Sequence, residues 1–229
     1  MRRKNFEISL LLAVSFLFGG IALAHQPRIV ASEAINEINN PEISQAFYGE
    51  LGGGPAVFEI KSGKSFILYV GVLVPDLPEI GKGISARVVR EIPERVSEEE
   101  IFVLDGINFQ WKKFYEEFGG DNYWRGPDEK KKVSAGQYKI TVSDPDNLGK
   151  YVLVVGEKEA WSLGEVWNTL KILPILKKDF FGKSPLTAFS NYVGLFLLGF
   201  LVVLFGIIVL VIFSIKWWGR RKREINRNS

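Results

Sequence analysis

Few residues in this sequence have the types and spacing that site chemistry needs. His25 is the single histidine and there is no cysteine. If a leader is removed after Ala24, the new α-amino group and the His25 imidazole would chelate one copper ion. Copper proteins that begin on histidine add further His ligands, and this sequence has none to add. Asp144, Asp146 and Asn147, with Asp121 or Asp128, offer oxygen donors of the kind Ca²⁺ takes. Their spacing does not match an EF-hand loop, and a turn uses the same residue types without an ion. His25, Asp144 and Asp146 are therefore weak metal candidates, and no cofactor is expected. The densest cluster is Trp111, Phe114, Tyr115, Phe118, Tyr123 and Trp124, six aromatics in fourteen residues, followed by Arg125. Rings exposed beside Asp, Asn and Arg stack on sugars or anchor a protein partner, which makes Trp111, Tyr115, Tyr123, Trp124 and Arg125 the candidate binding set. The alternative is that the rings plug one end of a β domain, since large rings usually bury most of their area. Trp124→Ala separates the two, by loss of capture or by loss of stability.

Other chemistries lack their parts. Without cysteine there is no thiolate nucleophile, structural zinc cluster, iron–sulfur ligation or disulfide framework. No G-x-S-x-G, H-E-x-x-H or Walker pattern occurs, and nothing pairs with His25 to form a triad. Acidic residues are too abundant to single out one acid–base pair, so a non-enzyme is expected. Glu98-Glu99-Glu100 and Lys130-Lys131-Lys132 read as solvated faces or loops. Their opposite signs leave no basic stripe for nucleic acid.

The elements that would position these residues divide at two apolar runs in a chain of 229 residues. Met1-Arg2-Arg3-Lys4, the run Ile8 to Ala24 and the ending Ala22-Leu23-Ala24 match a secretory signal over 1–24. Tyr192 to Ile215 is uncharged and, at about 1.5 Å per residue, exceeds the roughly 30 Å hydrocarbon thickness. Tyr192 and Trp217-Trp218 flank it at headgroup depth, and it contains no GxxxG pair. From Lys216 to Ser229, six basic residues face Glu224 alone. The region between His25 and Asn191 carries 20 Lys or Arg against 24 Asp or Glu. The overall net charge of +3 thus hides a basic 216–229 tail, expected to stay cytoplasmic, and an acidic exported region.

Between the runs, residues 56–160 show period two or short apolar stretches broken by Gly, Pro, Asp and Asn. Ala56 to Ile60, Phe66 to Val74, Ile84 to Val89 and Ile101 to Asp105 read as strands, with the uninterrupted 66–74 run central and Pro75 ending it. Tyr138, Ile140 and Val142, then Tyr151, Leu153 and Val155, flank Asp144-Pro145-Asp146-Asn147-Leu148-Gly149 and predict a hairpin. Six or more short strands without long helices favour a mainly β fold, an antiparallel β-sandwich of jelly-roll or Ig-like type. Residues 25–55 read as a short helix or extended lead-in ending at Gly52-Gly53-Gly54-Pro55. In the connector, 161–191, Ser162-Leu163-Gly164-Glu165 is a capping box, with Val166, Trp167, Leu170 and Leu173 on one face. Its lysines and rings suit either the outer leaflet surface or the base of the β domain.

Ala135-Gly136-Gln137-Tyr138-Lys139-Ile140-Thr141-Val142 followed by Gly149-Lys150-Tyr151-Val152-Leu153 resembles the closing hairpin of bacterial pre-peptidase C-terminal domains, β-sandwich modules appended to secreted proteins. The remainder is similar to prokaryotic membrane-anchored proteins with a signal peptide, one β domain and a C-terminal span. The expected function is a non-enzymatic, extracytoplasmic binding or scaffold module, held in the cell membrane by one span. Its partners would be the lipid bilayer, with an envelope protein or glycan, and no nucleic acid. The alternative is an accessory subunit of a membrane transporter or redox complex, and the weakest class is an envelope hydrolase using carboxylates.

Overall fold

A computed structural model describes residues 25–30, 35–92 and 97–227, apart from the side chains of Phe196 and residues 218–227. The expected signal segment, 1–24, lies outside the described residues. Two units make up the chain, one ending at Ala188 and the other containing the C-terminal helix.

Period-two patterning produces strands β1 (Gln26–Ile29), β2 (Asn36–Glu37), β3 (Gln45–Gly52), β4 (Ala56–Ser62), β5 (Phe66–Pro75), β6 (Ser85–Ile92), β7 (Ser97–Leu104), β8 (Lys112–Glu116), β9 (Asp121–Val133), β10 (Gly136–Ser143) and β11 (Leu148–Val155). They form a six-stranded sheet, β1-β3-β11-β5-β9-β8, and a five-stranded sheet, β2-β4-β10-β6-β7. Both sheets are mixed, because β1 pairs parallel to β3 and β2 parallel to β4, so the all-antiparallel expectation is corrected. The fold also begins at residue 26 rather than 56. Residues assigned to a lead-in supply three strands, and the Gly52–Pro55 break is the connection from β3 in one sheet to β4 in the other.

The predicted hairpin does not form. β10 pairs with β4 and β6, whereas β11 pairs with β3 and β5. Tyr138, Ile140 and Val142 instead meet Tyr151, Leu153 and Val155 across one core shared by the two sheets. Phe47 and Phe58 meet across the same core, edge to face at 5.4 Å. The Asp144 turn therefore carries the chain from sheet to sheet. A turn signal reports a reversal; it does not report which strands hydrogen-bond afterwards.

Tyr151 is fully buried, and its hydroxyl has no hydrogen-bond partner among the described residues. The ring lies so close to Gly49 that a β-carbon there would come within 2.5 Å of the hydroxyl. Burial without a partner raises the phenol's pKa above its usual range. Removing an unsatisfied hydroxyl while keeping the ring relieves that penalty. Tyr151→Phe is expected to leave stability unchanged or raise it by about 1 kcal/mol. Chemical denaturation of the two proteins tests this, and a clear loss of stability would contradict it.

The helix α1 (Leu163–Ile175) starts where the capping box predicts, and Ser162 Oγ accepts from the Glu165 amide at 3.2 Å. The carboxylate of Glu165 is turned elsewhere, to Arg28, so the box is half made. Pro174 does not end the helix. The chain widens into a π turn over Leu176–Phe180 and stops at Gly182, whose φ is +64°. Leu176, Phe180 and Phe181 bury against Ala46, Leu73, Val152 and Val154 on the outer side of the six-stranded sheet. β11 is consequently covered on both faces, which is why Val152 to Val155 is a continuous apolar run. Trp167 faces outward instead of sharing a face with Leu173. In the other unit, α2 (Tyr192–Arg227) contains a stretch, Tyr192–Trp217, long and apolar enough to cross a membrane. The helix continues through the basic tail to Arg227.

Candidate functional site

The aromatic cluster is the hairpin of β8 and β9. Tyr123 lies on β9 and is buried, with Phe114, Phe181 and Tyr48 around it. Trp111 packs over Gly126 and donates Nε1–H to the Gly106 carbonyl at 2.8 Å. Gly126 and Pro127 occupy a bulge in the β5–β9 ladder, where a strand tolerates proline. Trp124 donates Nε1–H to Asp76 at 2.8 Å, and Lys82 Nζ sits 3.4 Å from the ring centroid. Within this set, only Tyr115 and Arg125 are exposed. The five residues therefore do not present a flat aromatic platform. Trp124→Ala is expected to lower stability by about 2 kcal/mol, because the indole also packs on the main core. Thermal denaturation checks this, and an unchanged midpoint would restore Trp124 as a contact residue.

Asp144 Oδ1 accepts the amides of Asp146 and Leu148 at 3.1 and 3.0 Å, and Asn147 adopts φ +50°. Its carboxylate shapes the turn. Among the described residues no three His, Asp or Glu side chains converge as a metal site. His25 is half-buried, with Nδ1 against Ser44 Oγ. Burial first, and the Arg125 charge second, lower its pKa from 6.5 to about 4.

Two arrangements that the sequence did not single out dominate the domain's polar geometry. The first is a buried charge centre. Lys177, from the π turn, donates Nζ–H to Asp121 Oδ2 and to the Gly119 carbonyl, both at 2.6 Å; Lys183 reaches Asp121 Oδ1 at 2.8 Å. The Lys177 and Asp121 side chains are 2% and 4% exposed. Glu116 accepts the Phe118 and Gly119 amides at 2.9 and 2.6 Å, and burial raises its pKa. The centre ties the β8–β9 turn to the helical connector. A lysine spaced within Leu173, Leu176 and Phe180 was the available signal, since a cation on a buried face needs an anion.

The second is an open groove of about 680 Å³ between β1, β3 and the start of α1, with Glu37, Asn39, Asn40, Gln45 and Trp161 on its walls. Arg28 crosses it in a bidentate pair with Glu165 at 3.0 and 3.1 Å and donates to Gln26 Oε1 at 2.7 Å. Gln45 Nε2 donates to the Asn39 carbonyl at 3.0 Å. Its lining is mixed polar and apolar; Arg28 and Glu165 neutralise each other, and Glu37 leaves the walls with a net negative charge.

No family model matches the chain, and no curated protein is similar to it in sequence. Among solved structures it is similar to the pre-peptidase C-terminal domain of a collagenase from Bacillus anthracis, at 15% identity and TM-score 0.34, covering 56% of this chain and 97% of that one. A second is CorA, a surface-associated copper-binding protein of Methylomicrobium album BG8, at 8% identity and TM-score 0.29, covering 58% and 100%. A third is a beta-glucosidase from Paenibacillus barengoltzii, at 8% and 0.24, covering 58% of this chain and 13% of that enzyme. The likeness is a weak one of fold and carries no ligand or activity across.

Proposed function

We propose that the protein is a non-enzymatic binding module, a β-sandwich held outside the cytoplasm by α2 after removal of the 1–24 leader, and that its groove takes a neutral glycan. The groove carries this reading. Side-chain amides and an indole are the groups that meet hydroxyls and sugar faces, while the pairing of Arg28 with Glu165 leaves no excess positive charge for a phosphate and Glu37 adds a carboxylate able to accept from sugar hydroxyls. Orientation is supported by the basic residues after the apolar stretch. The sequence lacks cysteine, so single cysteines report cleanly. Val103→Cys should label with an impermeant maleimide in intact cells, and Ser229→Cys only after lysis; the reverse would invert the topology. The full chain in nanodiscs should retain members of an oligosaccharide panel, and Asn39→Trp, which fills the groove from an exposed position, should weaken retention by roughly ten-fold or more at unchanged melting temperature. No retention by the parent, or equal retention by Asn39→Trp, would overturn the groove as the site.

A further inference from the structure

The face of α1 turned away from the sheet has a character of its own. Leu163, Trp167 and Ile175 are 91%, 62% and 45% exposed, and Lys171 and Lys178 lie among them. Steps of four from Leu163 to Ile175, and one of three to Lys178, keep these side chains on one drifting stripe, opposite Thr169, Leu173, Leu176 and Lys177, which are buried. Lys171 Nζ stands 5.3 Å from the Trp167 ring centroid. An indole flanked by lysines and exposed aliphatic side chains is the composition of a membrane–water boundary, where the rings sit at headgroup depth and the ammonium groups reach phosphate.

Chain length says what this stripe can reach. Lys183 is held in the domain by Asp121, and Tyr192 begins the apolar stretch of α2, leaving at most the eight residues 184–191 between them. Eight residues extend at most about 28 Å, and a 3₁₀ turn at Pro185–Phe189 shortens this one. Resting on the membrane-anchored reading above, we propose that the Leu163–Trp167–Ile175 stripe docks the domain onto the lipid headgroup surface, with Lys171 and Lys178 facing anionic phosphates. The tether keeps the local lipid concentration high, so a small apolar stripe suffices where a free helix of this size would dissociate.

The test uses the full chain in vesicles of phosphatidylcholine and phosphatidylglycerol. An NBD probe is placed on Trp167→Cys or Ile175→Cys, with Val103→Cys on β7 as reference, and quenched by headgroup-proximal spin-labelled lipid. Flotation of the same samples reports anchoring independently of docking. The expected result is flotation of all three, with quenching at 167 and 175 roughly two-fold or more above that at 103 and lowered by exchanging phosphatidylglycerol for phosphatidylcholine. Flotation with equal quenching at the three positions overturns the docking and leaves the anchor standing. Failure to float overturns the anchor and the docking with it. A discrete protein adduct from a benzophenone at position 167 in native membranes assigns the stripe to a membrane subunit and equally overturns lipid docking.

Discussion

Lys177→Ala is expected to lower the domain's unfolding free energy by about 3–5 kcal/mol, a large effect for a lysine, which on most protein surfaces is dispensable. The substitution strands Asp121, 4% exposed, with Lys183 as its remaining cationic partner, and it leaves the Gly119 carbonyl without the ammonium it accepts from. Most of the cost is the desolvated carboxylate, so removing that charge as well should recover much of it. Lys177→Met with Asp121→Asn is therefore expected to be clearly more stable than Lys177→Ala, because an apolar stem then fills the space beneath Phe181 and the Asp121 charge is no longer buried without Lys177, while Glu116 keeps its two backbone amides. Urea unfolding of the full chain in nanodiscs, followed by tryptophan fluorescence, measures all three. A loss below about 1 kcal/mol in Lys177→Ala would mean that the pair behaves as a surface ion pair. The consequence would reach beyond stability, since this centre fastens α1 and the π turn to the β8–β9 turn and so sets which face of α1 is left outward.

Acid should destabilise the domain through His25. Its folded pKa of about 4 lies below the unfolded value of 6.5, so the folded state resists the proton that the unfolded chain accepts. The stabilising contribution is complete above pH 6.5 and is lost as pH falls toward 4, for a total of about 3 kcal/mol. Glu116 acts with the opposite sign. Its raised pKa makes the folded state take a proton first as pH falls, which offsets part of the loss. His25→Gln isolates the histidine, because it leaves Glu116 in place and retains a polar side chain beside Ser44. The parent is expected to lose about 3 kcal/mol more than His25→Gln between pH 7 and pH 4. Superimposable pH profiles for the two proteins would show that the imidazole is solvated in the folded state.

The strands that sequence reading located were those whose own composition encodes them. Phe66–Val74 was legible as a central strand because nine apolar residues in a row suit a strand covered on both faces, and β5 runs one residue further, to Pro75. Ser162 announced the start of α1 because a cap is a local bond, and the apolar stretch from Tyr192 needs only length and composition to be recognised. β8 and the start of β9 were hidden because aromatic density looked like a binding loop, and the first half of β7, Ser97–Glu100, because a glutamate run looked like a solvated face or loop, whereas its second half was read as a strand from Ile101. That run is an edge strand in which Glu98 and Glu100 hold Arg87, and charge there keeps an edge from pairing with other chains.

What only the tertiary structure decided has a common physical origin. Period two reports which side chains of a strand share a face, and 3.6 reports the same for a helix, but neither names the surface opposite. Tyr138 and Tyr151 therefore marked two real strands without revealing that they belong to different sheets. The connector's amphipathicity likewise left open which arc would be buried. Asp121 resolved it: a carboxylate at the β8–β9 turn accepts Lys177 in the interior, which rolls Phe180 and Phe181 onto the sheet and Trp167 outward. Pairing between residues 56 positions apart is a property of the folded chain. No local window contains both partners, and it is this contact that converts a basic, aromatic segment into a latch with one face spent and one still open.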